Sequence, residues 1–299
     1  MNRFRPRRVL VLTAFTLTVL ISWTDAAKAG QYVVVQCHPT YSGGTAYFNA
    51  QTGGAHASHL KFFNSCSDAS KGMGVYEEGA TTAHGSWGAL NWWAPQGTVF
   101  NRVEFQNRRT AGSGWSTWIQ SDNQFVSLHP ADNTWDGRQT TLAEFTSFSV
   151  LASCSDKDGC PHNNAHNHVR RLWFTVNDPN PPGLVAGGEL LEGGVRRGTE
   201  LLTLWLSDLA PGLESASVSV NDRLVHSFDW RPACNLHLGV PLRLVPCPTN
   251  RSVDLALSTE NSPWVTGSNT LSICVRDFAL ASRCIERVVT VDNTCPGSG

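Results

Sequence analysis

Three kinds of side chain in this sequence could do chemistry: tryptophans, a run of histidines and two acidic loops. The chain holds 11 tryptophans. An indole offers a flat apolar face with one N–H at its rim, which suits stacking on a sugar ring whose hydroxyls are taken by nearby polar groups. Trp92, Trp93, Trp115, Trp118 and Trp135 are the candidate ligand-binding residues, with Trp173 behind them. Plain core packing is the competing role for each. Trp93 shares strand parity with Trp87 and Ala89, whereas Trp92 points the other way with Gly88 and Leu90, so the two neighbours cannot serve one layer.

His162, His166 and His168 form a His-x3-His-x-His run. Three imidazoles so close could ligate zinc or copper if the loop folded back on itself. Their neighbours Asn163, Asn164 and Asn167 make a solvated polar loop equally natural. Asp132 and Asp136 lie in an Asp-Asn-Thr-Trp-Asp-Gly stretch, and Asp156 and Asp158 in Asp-Lys-Asp-Gly. Both stretches suggest a structural calcium, although position 12 of the first is Ala143, so the EF-hand template fails. Asp-Gly hairpin turns explain the same residues without a metal.

Enzyme signatures are absent. There is no His-Glu-x-x-His, no Gly-x-Ser-x-Gly and no phosphate-cradling Gly-rich loop. Glu77 and Glu78 are adjacent and face opposite ways, and Glu104 has no acidic neighbour two residues off, so no strand carries a paired-carboxylate glycosidase site. A pair drawn from separate strands stays open.

The elements that must position these residues are strands. Trp87, Trp92 and Trp93 precede a Pro95–Gly97 break, after which Val99, Asn101, Val103 and Phe105 alternate with Arg102, Glu104 and Gln106. Period-2 patterning on both sides of a Pro/Gly break predicts two antiparallel strands. Further short strands fall at Tyr32–Val35, Ala46–Phe48, Leu60–Phe63, Val75–Glu77, Trp115–Gln120, Phe125–Leu128 and Leu172–Val176. A long one spans Leu142–Cys154, with a bulge near Thr146. Asp178-Pro179-Asn180-Pro181-Pro182-Gly183 reads as a semi-rigid linker, since stacked prolines cannot join a central strand. Beyond it, Leu202/Leu204/Leu206, Ala216/Val218/Val220, Val253/Leu255/Leu257, Leu271/Ile273/Val275 and Ile285/Val289/Val291 repeat the strand rhythm. The pattern predicts an all-β protein with a large sandwich at 30–177, a linker at 178–183, a smaller sandwich at 184–293 and a tail at 294–299.

The first 29 residues read as a signal peptide: Arg3, Arg5, Arg7 and Arg8, an apolar run from Val9 to Trp23, then Ala27-Lys28-Ala29 before Gly30. That run is short for a spanning helix, which needs about 20 residues. Secretion follows as an expectation, with no later segment able to span a membrane. Removing five basic residues and one acidic one leaves 18 Lys+Arg against 23 Asp+Glu, a net of −5. A mildly acidic surface without basic clusters argues against nucleic acid as a partner. All nine cysteines follow the leader, which fits an oxidising compartment. Their spacing suggests local pairs, Cys37 with Cys66, Cys154 with Cys160, Cys234 with Cys247, and Cys274 with Cys284, although spacing leaves other connectivities open. Cys295 is left over, as a free thiol or the link of a disulfide-bonded dimer.

Residues 30–177 resemble the concanavalin-like jelly-roll domain of large secreted actinobacterial proteins. The resemblance rests on Tyr32-Val33-Val34-Val35-Gln36-Cys37, the Trp-x-Ala-Pro-x-Gly-Thr run at Trp92 to Thr98, and the short Cys154–Cys160 loop. Residues 184–293 resemble the immunoglobulin-like repeat that follows it, through Arg197-Gly198-Thr199, Val218-Ser219-Val220-Asn221-Asp222, Pro246-Cys247-Pro248 and Val289-Thr290-Val291-Asp292-Asn293-Thr294. The chain departs from that pattern at Asp277-Phe278-Ala279-Leu280-Ala281, where such repeats carry Asp-x-Ala-Gly-Asn, and at Cys295, where proline is usual. These motifs are turn and core residues, so the resemblance implies fold, sometimes with a structural calcium, and a binding or structural role. An extracellular glycan is the leading expected partner. A structural or adhesive surface protein and a polysaccharide hydrolase or lyase are the alternatives.

Overall fold

The computed structural model describes residues 30–41, 46–122, 124–126, 132–137, 139–162 and 164–294, with the backbone alone at 139–143. The leader, Leu128 and Cys295 lie outside the described residues. The chain is all-β, with short 3-10 turns in place of any α-helix among the described residues, and it is stapled by four disulfides. The pairs are Cys37–Cys66, Cys154–Cys160, Cys234–Cys247 and Cys274–Cys284.

The first eleven strands are β1 (Gln31–Gln36), β2 (Asn49–Gly53), β3 (Leu60–Asn64), β4 (Met73–Glu77), β5 (Trp87–Trp93), β6 (Val99–Ala111), β7 (Trp115–Ser121), β8 (Gln124–Val126), β9 (Gln139–Phe145), β10 (Ser147–Cys154) and β11 (Ala165–Asn177). They build a six-stranded sheet, β3-β4-β11-β6-β9 with β1 also on β11, and a five-stranded sheet, β2-β5-β10-β7-β8. Every pairing is antiparallel. The sheets pack face to face: Leu90, Trp92, Ile119, Phe148 and Val150 from one meet Val34, Phe100, Val103, Phe105 and Phe174 from the other.

Two connections differ from the sequence expectation. The Pro95–Gly97 break is no hairpin, because β5 and β6 belong to different sheets and the turn carries the chain across the core. On β6 the alternation also slips: Phe100, not Asn101, is buried, with a register shift between Phe100 and Arg102. The long strand expected at Leu142–Cys154 is two strands in two sheets, broken at Thr146. Asp122 holds that corner. Its Oδ1 accepts the backbone N–H of Thr146 (2.9 Å) and Ser147 (2.7 Å) and both hydroxyls. Ala46–Phe48 is irregular chain, and the strand starts at Asn49.

The remaining strands are β12 (Gly183–Gly187), β13 (Val195–Arg196), β14 (Thr199–Ser207), β15 (Leu213–Val220), β16 (Arg223–Asp229), β17 (Leu236–His237), β18 (Val240–Pro241), β19 (Asn250–Ser258), β20 (Gly267–Asp277) and β21 (Ser282–Val291). A three-stranded sheet, β12-β14-β19, packs on a five-stranded one, β13-β21-β20-β15-β16, around Leu202, Leu204, Val218, Leu271 and Ile273. Cys274 and Cys284 pair directly across β20 and β21 on the outer side of that core.

The two sandwiches are packed together, not held apart by the proline-rich segment. Ala279 sits in the first core, and Phe278 and Leu244 pack against it. The Tyr32 hydroxyl donates to Leu244 O (2.5 Å), Gln36 Nε2 donates to Leu242 O, and Gly30 N–H donates to Ala279 O (3.0 Å). The Asp277–Ala281 turn is therefore a docking element.

Candidate functional site

The outer face of the first five-stranded sheet follows from strand parity. Leu90 and Trp92 of β5, Phe148 and Val150 of β10, and Ile119 of β7 point into the core, so their neighbours point out. Register then sets the outward residues in rows across the sheet. Gly53, Trp87, Ser153 and Ser116 form one row; Gln51, Ala89, Leu151 and Trp118 the next; Asn49, Asn91, Ser149, Gln120 and Phe125 the third; Trp93 and Ser147 the last. None of these side chains is charged.

The rings stand where a ligand could use them. Trp93 is 47 % exposed and Phe125 74 %, with Trp87 and Trp118 half-buried. Trp118 and Phe125 meet edge-on at 6.1 Å. Trp87 lies over Gly53, where a Cβ would come within 2.5 Å of the indole Nε1, so β2 needs glycine for that ring to lie flat. Between the rings runs a fixed amide–hydroxyl network. Ser149 Oγ donates to Asn91 Oδ1 (2.7 Å), Asn91 Nδ2 donates to Gln51 Oε1 (3.4 Å), and Trp118 Nε1 donates to Gln120 Oε1 (3.2 Å). A cavity of about 530 Å³ is lined by Trp115, Ser116, Trp118, Phe125 and Ser153, together with Arg109. Flat rings beside pre-ordered amides and hydroxyls can take both faces of a sugar, apolar and polar.

Of the tryptophans expected to bind a ligand, Trp93 and Trp118 share this platform. Trp92 does not: it is 2 % exposed and packs against Phe48, Phe148 and Phe174, because its parity puts it in the core. Trp115 is 5 % exposed, beside the Cys154–Cys160 disulfide, with its Nε1 donating to Pro161 O (2.9 Å), and it lines the cavity beside Trp118 without standing on the outer face. Trp135 lies across the outer face of the other sheet. Trp87 and Phe125 join Trp93 and Trp118, two rings that the sequence reading does not single out as ligand-binding. The parity of Trp87 with Trp93 was the available signal, while Phe125 needed the β7–β8 register.

Trp135 belongs to a second groove, of about 720 Å³, with Phe63, Tyr76, Arg108, His166 and His168. Its ring is covered by the Arg170 guanidinium at 4.1 Å and approached by Arg108 at 5.5 Å, so cations already occupy the π-face that a sugar would need.

The three histidines do not converge. His166 and His168 share a strand face, ring centroids 4.6 Å apart, but His162 lies off the strand, its Nδ1 accepting the Gly79 N–H (3.3 Å) and facing Glu77. His166 Nε2 contacts Thr110 and Asn133, and His168 packs on Phe63. Burial, aided by Arg108, lowers His166 to about 4; burial, with His166 and Arg108, lowers His168 to about 3. The acidic loops are occupied as turns. Asp132 Oδ1 accepts the Thr134 N–H (3.0 Å), and Asp156 Oδ1 the Asp158 N–H (3.0 Å). Burial lowers the Arg109 pKa, and the nearby charges of Asp136 and Asp132 oppose that shift, so this loop already has its cation. Among the described residues, the group close enough to share an ion is elsewhere: Asp178, Asp208 and Asp277, at the junction of the sandwiches.

No family model and no curated protein matches the sequence. Among solved structures, the chain aligns with two crystal structures of a GH2 beta-galacturonidase from Eisenbergiella tayi, one bound to galacturonate and one to glycerol. Identity is 10 % and 9 %, with TM-scores of 0.23 and 0.19. The alignments cover 86 % and 87 % of this chain but 43 % and 41 % of those proteins, so the chain spans about two fifths of their length. Likeness at this level carries no functional argument.

Proposed function

We propose that this is a secreted extracellular binding protein that holds a carbohydrate on the outer face of its first five-stranded sheet. The observation that supports it is the placing of Trp87, Trp93, Trp118 and Phe125 on one sheet face whose row residues are uncharged, with Gln51, Gln120 and serines between them and the buried Asn91 ordering Gln51 and Ser149. The four disulfides agree with an oxidising compartment, and among the described residues no helix is long and apolar enough to cross a membrane. Arg109 is the charged residue lining the adjoining cavity; the rows themselves carry no charge, which favours neutral glycans, and no carboxylate pair for hydrolysis.

The test is depletion of the full chain from solution by insoluble cellulose, chitin and peptidoglycan. Trp118→Ala and Trp93→Ala should each weaken retention about tenfold, the worth of one stacked ring. Trp92→Ala should act on stability instead, by about 3–5 kcal/mol. Retention by none of the three, or retention indifferent to both surface variants, would remove the carbohydrate reading. One observation favours the adhesive alternative: on the outer face of β12-β14-β19, Val185 and Trp205 pair side by side, 61 % and 50 % exposed.

A further inference from the structure

Three carboxylates meet where the two sandwiches touch. Asp178 follows β11 and opens the proline-rich segment, Asp208 follows β14, and Asp277 ends β20. One oxygen of each lies within 4.8 Å of the others. The residues are 2 %, 7 % and 0 % exposed. Asp208 Oδ2 accepts the Gly212 N–H (2.6 Å), Asp178 Oδ1 the Asn180 N–H (3.0 Å), and Asp277 Oδ1 the Ala281 N–H (2.9 Å). The Oδ2 atoms of Asp178 and Asp277 are shielded from water and accept no hydrogen bond. A buried carboxylate oxygen without a partner is costly, and three neighbouring carboxylates must either bind a cation or give up full ionisation by taking protons.

The donor set selects between cations. Magnesium sheds its waters reluctantly and is held by one or two carboxylates, whereas calcium takes several protein oxygens in a flexible shell. An all-oxygen donor set excludes the soft-ligand metals. A cavity of about 360 Å³ reaches Asp178 and Asp208 from outside, past Asn180, Ser207 and Thr249. It brings solvent to the edge of the cluster at Asp178 and Asp208, while Asp277 lies behind them.

We propose that Asp178, Asp208 and Asp277 form a calcium site that clamps the two sandwiches together. The site is independent of the carbohydrate platform and distinct from the Asp132/Asp136 and Asp156/Asp158 loops. Shared protons are the competing state: burial and repulsion from the neighbouring aspartates raise Asp208 to about 6 and Asp277 to about 7. Asparagine substitution separates the two states, since it mimics a protonated aspartate and cannot mimic a metal ligand's charge.

The full chain, stripped with EGTA and desalted, would be titrated with calcium chloride by calorimetry and melted with and without calcium. The expected result is one ion per chain, with a dissociation constant of roughly 0.1–1 mM, as in extracellular calcium modules. At 100-fold excess over that constant the melting temperature should rise by about 5 °C. The Asp208→Asn/Asp277→Asn double variant should fold and lose both heat and shift, while Asp132→Asn/Asp156→Asn keeps both. No heat and no shift in the wild type would overturn the proposal, as would a calcium response that survives in Asp208→Asn/Asp277→Asn.

Discussion

Trp92 and Trp93 stand one residue apart and have opposite fates, one in the core and one at the solvent face. Alternation shows that they must diverge, but not which way, because Ala89 on the outer parity and Gly88 on the inner one are both small. The six-stranded sheet decides it, by offering Phe174 to Trp92, and that partner is distant in sequence. His166 and His168 show the same limit. Their shared face is legible from i, i+2 spacing, while their burial is not. Burial keeps both rings neutral to about pH 4 and about pH 3, against an ordinary value of 6.5. An unfolded chain takes up those protons near pH 6.5 and the folded chain refuses them until far lower, so stability is present above pH 6.5 and falls as pH drops below it. Arg108, Arg170, Lys71, Tyr76 and Glu77 border the same groove, so the effect should be read as a difference. Urea unfolding of wild type and His168→Gln at pH 7.5 and pH 5 should show a smaller acid loss in the variant. Equal losses would mean that His168 does not resist protonation.

At the scale of elements, strand positions were legible and strand partners were not. β5, β6, β7, β10 and β11 fall where apolar residues alternate, because one face of each is buried. Whether a Pro/Gly break closes a hairpin or crosses between sheets depends on what lies beyond it. At Pro95–Gly97 the chain crosses. At Thr146 an apparent bulge is a corner where β9 leaves one sheet and β10 enters the other. The corner depends on Asp122, a residue with no local signal, reaching Thr146 and Ser147 from the end of β7. Burial acts to raise its pKa, and the hydrogen bonds from Thr146 and Ser147 overcome that and hold it below the usual carboxylate value. Removing this acceptor takes a charged hydrogen-bond partner from two backbone N–H groups at once, that of Thr146 at the surface and that of Ser147 part-buried. Asp122→Ala should cost about 2–3 kcal/mol in urea unfolding, whereas Asp122→Asn, which keeps an oxygen in place, should cost clearly less. Equal costs for the two would mean that the corner is held by packing and not by this acceptor.

At the scale of the whole molecule, the sequence showed two β-rich halves and a proline-rich join, but not that the halves share a core. The reason lies in the Asp277–Ala281 turn. Ala279 lies in the core of the first sandwich, and Phe278 and Leu244 pack against that core. The aspartates at the junction come from three separate segments, so no spacing could announce them. Sharing a core makes a thermodynamic claim: neither sandwich can melt without uncovering apolar surface of the other. Calorimetry of the full chain should therefore give one transition. Ala279→Asp puts a carboxylate into a methyl-sized space that is 1 % exposed. Burying it there costs more than undocking, so the turn should leave the first core and the variant should melt in two steps. Two transitions already present in the wild type would mean that the contact is too weak to couple the sandwiches. A single transition retained in the variant would place the coupling elsewhere, in the Tyr32–Leu244 and Gly30–Ala279 hydrogen bonds.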